Sequence, residues 1–496
     1  MILKFRIIPI FCAKNILHNP CFRPVIFVNL QIYTPTKSIM NFKSILAALA
    51  LLSVAPTFAQ EQAVKIETPQ QKAERMDWFS KAKLGIFIHW GVYSTGKTSE
   101  SWAFHNGHIS MKDYLDQAKE FTAANYDPEY WAKLIKDSGA KYTVITTKHH
   151  DGFALWDTKA GKSSAVKNSP AKRDLIGPFA DAIRKQGDVK LGFYFSLIDW
   201  PREDYPETYR DKAPKYDIKK EPKKWQHFLD FNNAQLTELS STWNPDLYWF
   251  DGDWEHSSDE WKAPQVVSLL RKYNPNVIIN SRIQGHGDYD TPELGVPVTR
   301  PESKWWETCM TINDSWGYRI GDDNYKDPQT VLRMFVDCIS KGGNLLLDIG
   351  PKADGTIPQE DVVVLESLGK WIKKHQEAVY ETRAGIPTDH VQGYTTLNNS
   401  GDILYVYLPY KPVGPLELKG LKSRVKNIRV VGNGSILNWK QYNDISWSEV
   451  PGVYYIDVPE SVLDPQMTVL ALEMEEPIKL YRGHGQVMSF NDSDKQ

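Results

Sequence analysis

Seven short apolar or aromatic runs, separated by amphipathic helical stretches, constrain this chain more than any other feature of its sequence. The runs are LGIFIHWG (84–91), YTVITTKHH (142–150), KLGFYFSLIDW (190–200), DLYWFDG (246–252), NVIINSRI (276–283), KWWETCMTI (304–312) and GNLLLDIGP (343–351). Helical patterning covers 127–138, 176–186, 225–242, 263–273, 327–341 and 362–380. Two of these stretches open on Asp–Pro, at Asp127–Pro128 and Asp327–Pro328. That pair suits a helix start, because the first helical position has no use for the N–H that proline lacks. Strands alternating with helices predict a parallel sheet with helical crossovers. Seven strands and one unseen predict a (β/α)₈, TIM-type barrel over residues 60–384. A doubly wound α/β sheet is the alternative, but no glycine-rich phosphate loop supports it. After residue 384 the segments become short, alternating and turn-punctuated, as in DILYVYLPY and GVYYIDVP. This predicts an all-β sandwich over 385–476, followed by a polar tail, 477–496.

The N-terminus reads as processing signal rather than fold. From Met40, Lys43 supplies a positive flank, residues 44–56 an apolar stretch, and Ala59 a small-residue cleavage site. The expectation is a signal peptide over 40–59, too short in its apolar part to span a membrane, and hence a periplasmic or extracellular protein. Residues 1–39 resemble neither a domain nor a targeting signal. An over-extended start, with Met40 as the initiator, accounts for them; a tandem of apolar anchoring pieces is the alternative. Of four cysteines only Cys309 and Cys338 follow the leader, too few for a disulfide framework, and two buried thiols are expected rather than a pair. The net charge of −2 argues against a nucleic-acid binder, which usually carries a basic field. Seventeen tryptophans fit carbohydrate recognition as well as a core.

In a (β/α)₈ barrel the functional groups sit at the C-terminal strand ends. Here those ends carry His89 and Trp90, then His149, His150 and Asp151, then Asp199 and Trp200, then Asp251 and Arg282. Alternation puts Leu247, Trp249 and Asp251 on one face and Tyr248 and Phe250 on the other. If the first face looks inward, Asp251 tops a column over Trp249, and Asp253 and Glu255 lie past the turn at Gly252. Facing carboxylates with aromatic and hydroxyl-binding neighbours make a glycosidase site. A metal hydrolase built on His89, His149, His150 and Asp151 is the competing class. It is disfavoured because adjacent strand residues point to opposite sides. A Ser–His–Asp hydrolase lacks its G-x-S-x-G elbow.

The segments KLGIFIHWGVYS, KYTVITTKHHDGFALWDTK, GFYFSLIDW, DLYWFDGDWE, WWETCMTINDSWGY and GGNLLLDIGPKADGTIP occur in that order. Together they resemble the α-L-fucosidases of glycoside hydrolase family 29, over residues 70–475. The resemblance implies a barrel followed by a β-sandwich. It also implies retaining hydrolysis of terminal α-L-fucose from glycans or glycoconjugates through a covalent fucosyl-enzyme, with neither metal nor cofactor. It makes Asp251 the nucleophile. His89, His149, His150, Trp249 and Arg282 become the fucose-binding set, with Trp90, Glu100, Trp102, Tyr194 and Trp316 beside them. In this chain Ser101 stands between Glu100 and Trp102. For the acid/base, Glu293 in YDTPEL is favoured. Glu307 in WWETC is the alternative, or else a residue that orients a sugar ligand or Arg282. A catalytically silent fucose-binding protein on the same scaffold is the second functional class. The insert 201–224 either shapes the leaving-group side or is a solvated flap. Linkage preference and oligomeric state are not legible, so a homo-oligomer stays open.

Overall fold

The computed structural model describes residues 67–206, 213–445, 447 and 450–481. The leader and signal-peptide segments (1–59) lie outside the described residues, as do 207–212 of the insert. All described residues belong to one compact unit, Lys65–Gln496.

Seven parallel strands form the first sheet: β1 (Leu84–Ile88), β2 (Tyr142–Lys148), β3 (Lys190–Ser196), β4 (Leu247–Asp251), β5 (Ile278–Ile279), β6 (Glu307–Thr311) and β7 (Asn344–Ile349). Their order is β5-β4-β3-β2-β1-β7-β6. The edges β5 and β6 are linked through residues 289–293 by single parallel bridges, Asn280 to Tyr289, Asp290 to Trp306 and Glu293 to Cys309. This segment stands where an eighth strand would close the barrel. It is the strand invisible in the sequence, because Pro292 removes a ladder donor and Leu294 takes φ 55° just beyond it. The strand carrying Glu307 is therefore seventh around the barrel, not sixth.

Strand alternation sorts the side chains. Phe87, Val144, Tyr194, Leu247, Trp249 and Leu346 meet inside the barrel. Ile86, Ile88, Phe193, Tyr248, Phe250 and Leu347 join the cluster beneath the helices. Each large side chain taken from water in this way contributes about 1.5–3 kcal/mol. The expected helices form as Pro128–Asp137, Ile176–Gln186, Pro222–Trp243, Ala263–Tyr273, Pro328–Ser340 and Gln359–Lys374. Asp127 accepts from the N–H groups of Glu129 and Tyr130, and Asp327 from that of Thr330, so both Asp–Pro starts are capped as expected.

One further helix, Pro69–Ala82, has no counterpart in the sequence expectations. A capping box starts it: Gln71 N donates to Thr68 Oγ1 (3.2 Å) and Thr68 N to Gln71 Oε1 (2.9 Å). Its Met76, Phe79 and Ala82 enter the interior cluster. Asn344 donates to the Phe79 carbonyl (2.7 Å), and Arg75 donates to the Val277 carbonyl (3.2 Å) and Asp288 (2.7 Å). Asn344 and Val277 sit at the N-terminal ends of β7 and β5, and Asp288 just before the closing segment. The helix therefore plugs the base of the barrel and leaves the opposite end open.

The remaining strands form a five-stranded antiparallel sheet and a three-stranded one around a second apolar core. The five-stranded sheet begins at Thr382, slightly before the expected boundary. Its company extends past the other one: Ile478 N donates to Gly401 O (2.8 Å) and Leu480 bridges Leu421, so 477–481 pack on the sandwich rather than trailing from it. Cys309 and Cys338 are both buried free thiols. Among the described residues no helix is long and apolar enough to cross a membrane.

Candidate active site

Strand β4 delivers Asp251 to the open end of the barrel, in line with the inward Trp249 and Leu247. The chain must then turn at once. Gly252 takes φ 85°, and a Cβ there would meet the Ile198 side chain at 2.6 Å, so only glycine serves. Asp251 is 8% exposed and lines a cavity of about 190 Å³, the scale of one monosaccharide.

Three groups converge on its carboxylate. The Tyr194 hydroxyl donates to Oδ2 at 3.0 Å and Arg282 Nη1 to Oδ1 at 2.9 Å. His150 Nε2 lies 3.5 Å from Oδ2. Arg282 also donates through Nη2 to Glu293 and through Nε to Thr291 Oγ1 (3.2 Å). Its guanidinium rests 4.5 Å from the Trp249 ring centre. Burial alone would depress the Arg282 pKa, but Asp251 and Glu293 hold it above the ordinary arginine value, so the cation is permanent. One guanidinium thus holds two carboxylates from different segments, and both line the cavity.

Histidine and aromatic side chains make the walls. His89 bonds Asp348 through Nδ1 (2.7 Å) and lies 5.1 Å, ring to ring, from Trp316. Burial raises Asp348 above the usual carboxylate range. His149 bonds Ser101 through Nδ1, and its ring stacks on Tyr194 at 5.4 Å. His150 Nδ1 meets Ser196 Oγ at 2.6 Å. Burial pushes both of these adjacent histidines well below the ordinary value, so they are neutral near pH 7.

The expectation that His149 and His150 diverge does not hold. They lie past the end of β2, after a register shift between Thr146 and Lys148, where strand alternation no longer governs. Their ring centres are 4.3 Å apart. One donor atom from each and one from Asp251 fall within 4.8 Å of one another. Asp151, named only in the disfavoured metal reading, accepts from the Tyr114 hydroxyl (2.9 Å) and Phe153 N (2.9 Å).

Of the expected substrate-binding residues, His89, Glu100, Trp102, His149, Tyr194, Trp249, Arg282 and Trp316 line the cavity. Glu100 and Trp102 both reach it although Ser101 intervenes: Ser101 turns inward to His149, and Trp102 opens a short helix. Burial raises the Glu100 carboxyl above its usual range. His150 sits behind the lining, against Asp251.

Trp90 is a correction. Phe87 and His89 share the inward face of β1, so Trp90 points outward. There it packs on Phe121, Tyr126 and Trp131 and donates Nε1 to the Lys352 carbonyl (2.9 Å). Glu307 is also displaced from the cavity. It starts β6, deep in the barrel and fully buried, and accepts from the Tyr142 hydroxyl (2.5 Å) and Trp249 Nε1 (2.9 Å). Burial pushes its carboxyl up to about 7. It therefore anchors Trp249 rather than bonding Arg282 or facing a ligand.

Phe87 and Trp254 line the cavity without having been expected there. Phe87 was within reach of the sequence, since it shares parity with His89. The supporting Asp348, Ser101 and Ser196 carry no local signal.

The family profile described as Alpha-L-fucosidase matches residues 50–377. An alpha-L-fucosidase of Branchiostoma floridae is 32% identical over 398 residues, covering 73% of this chain and 85% of that protein. The tissue alpha-L-fucosidase of Mus musculus is 30% identical over 437 residues, 81% of this chain and 91% of its own. Among solved structures, alpha-L-fucosidase isoenzyme 1 of Paenibacillus thiaminolyticus superposes with TM-score 0.73 at 34% identity, covering 82% of this chain and all of its own. A Bacteroides thetaiotaomicron GH29 alpha-L-fucosidase, a trapped covalent intermediate in complex with 2-fluoro-fucosyl fluoride, superposes with TM-score 0.71 at 28% identity over 81% of this chain and 96% of its own. With its parallel barrel, its carboxylate-lined cavity and these relatives, the chain belongs to the alpha-L-fucosidase family, glycoside hydrolase family 29.

Proposed function

We propose that this protein is a retaining, exo-acting α-L-fucosidase that removes terminal α-L-fucose from fucosylated glycans or glycoconjugates. The observation that carries the reading is the pair Asp251 and Glu293, held by one guanidinium in a cavity the size of a single sugar. Asp251 attacks the anomeric carbon of bound fucose. The bond to the leaving oxygen breaks as Glu293 gives that oxygen its proton, leaving a fucosyl ester on Asp251. Water then attacks the same carbon and passes a proton to Glu293, and the ester bond breaks to release fucose and the Asp251 carboxylate.

The surroundings suit these roles. Tyr194 and Arg282 donate to Asp251 and hold its carboxylate in place for attack. Glu293 stands at the exposed rim, where a leaving group and water can reach it. Neutral His149, with His89 and Glu100, offers hydrogen bonds to sugar hydroxyls, and Phe87 and Trp316 offer an apolar wall to the fucose methyl group. Hydrolysis of an aryl α-L-fucoside tests the reading. Binding of fucose without turnover would instead favour the catalytically silent alternative, which gives the Arg282-braced carboxylate pair no task.

The Met40–Ala59 segment supports export, with removal of the signal peptide after Ala59 and a periplasmic or extracellular location. Mass spectrometry of the mature N-terminus checks this; retention of the segment in the exported protein would refute it.

A further inference from the structure

The cavity residues range widely in exposure. Asp251, His89, His149 and Glu100 are each 8% exposed or less, whereas Trp254 is 49% exposed. A cavity of about 190 Å³ takes one ring, so the second sugar of any natural substrate must lie over the rim. Trp254 is part of that rim, in the short 3₁₀ turn Asp253–Glu255 that follows Gly252.

That turn is tied down on both sides of the indole. Asp253 Oδ2 accepts from Gln284 N (2.7 Å), and its carbonyl accepts from Gln284 Nε2 (2.8 Å) and Trp261 Nε1 (2.9 Å). On the other flank Glu255 accepts from Trp200 Nε1 (3.0 Å) and from the Tyr205 hydroxyl. The indole itself stacks on Trp102 at 6.2 Å and 17° and meets His150 edge-on at 5.9 Å. A large aromatic ring left half in water, yet fixed in orientation by its neighbours, has already lost the freedom that binding would otherwise cost it.

Resting on the fucosidase reading, we infer that Trp254 is a preorganised platform for the leaving-group sugar, taking the apolar C–H face of a hexopyranose joined through the fucose anomeric oxygen. Asp253 and Glu255 are positioning residues for it. Tyr205 belongs to the 201–224 insert, so the insert acts on the leaving-group side by bracing the platform.

The test compares two substrates that share fucose and differ in leaving group: a fucosyl-galactose disaccharide, which has a second ring, and fucosyl fluoride, which has none. In Trp254→Ala the ratio of kcat/KM for disaccharide over fluoride should fall about tenfold, and Trp254→Phe should restore most of it. Trp254→Leu keeps apolar bulk without a ring face and carries the same test if the alanine variant does not fold. An equal fall on both substrates would overturn the assignment, since it would make Trp254 part of the fucose pocket or of the fold. If the wild-type protein hydrolyses neither substrate, the fucosidase reading itself fails and the platform with it.

Discussion

Two acidic regions of the barrel interior invite comparison. At the open end, Asp251 and Glu293 share Arg282 and border the cavity. Deeper, Glu307 is sealed between Tyr142 and Trp249 with no solvent access. In sequence Glu307 stands out more than Glu293, being set in an aromatic strand rather than a loop. Depth along the barrel is what distinguishes them. An acid at the N-terminal start of a strand lies on the plugged side, where only packing partners can reach it. An acid at the open rim can meet a substrate and water.

The difference can be broken experimentally, beginning with the largest effect. Asp251→Ala should lower turnover of an aryl α-L-fucoside by roughly four orders of magnitude; near-wild-type rates would remove it as nucleophile. Glu293→Ala should cost about 10²–10⁴-fold, with azide restoring activity and yielding a fucosyl azide. Rescue seen only in Glu307→Ala would reverse the assignment of the two glutamates.

Glu307→Gln should leave activity within about tenfold of wild type, because it keeps the shape that supports Trp249. Its signature lies in stability instead. Burial raises the Glu307 carboxyl to about 7, so its contribution is complete below the unfolded value near 4.5 and is lost as pH rises through 7. Chemical denaturation at pH 5 and pH 8 should show a wild-type loss on the order of 2–3 kcal/mol that the glutamine variant lacks. Equal pH dependence in both proteins would contradict the buried, protonatable acid.

The smallest effect concerns the close group His149, His150 and Asp251. These residues serve the sugar cavity in the present reading, so dialysis against a chelator should leave fucoside hydrolysis unchanged. A loss restored by one divalent metal would move the site into the competing class.

Much of this was legible in the chain itself. The Asp–Pro helix starts, the parallel strands and the inward parity of Trp249 and Asp251 all rest on local rules, and each has its counterpart in the fold. The helix Pro69–Ala82 leaves a faint sequence signal despite the capping box of Thr68 and Gln71, because only a narrow stripe, Met76, Phe79 and Ala82, faces the barrel. Trp90 follows the inward His89, so strand parity turns it outward onto Phe121 and Trp131. The closing segment 289–293 is silent in the sequence because proline and isolated bridges leave no strand pattern to read.

By itself the sequence determined the alternation of strand and helix, the family to which its ordered segments point, and the inward aim of Asp251. Periodicity and turn chemistry are short-range, and these features need nothing more. Only the tertiary structure decided which glutamate shares Arg282 with Asp251, that His149 and His150 converge, and that Trp254 stands at the rim. Barrel closure brings Arg282 to an acid 31 residues before it and another 11 after it. No local pattern encodes that meeting; it follows from the curvature of the whole sheet and from which end of it the first helix plugs.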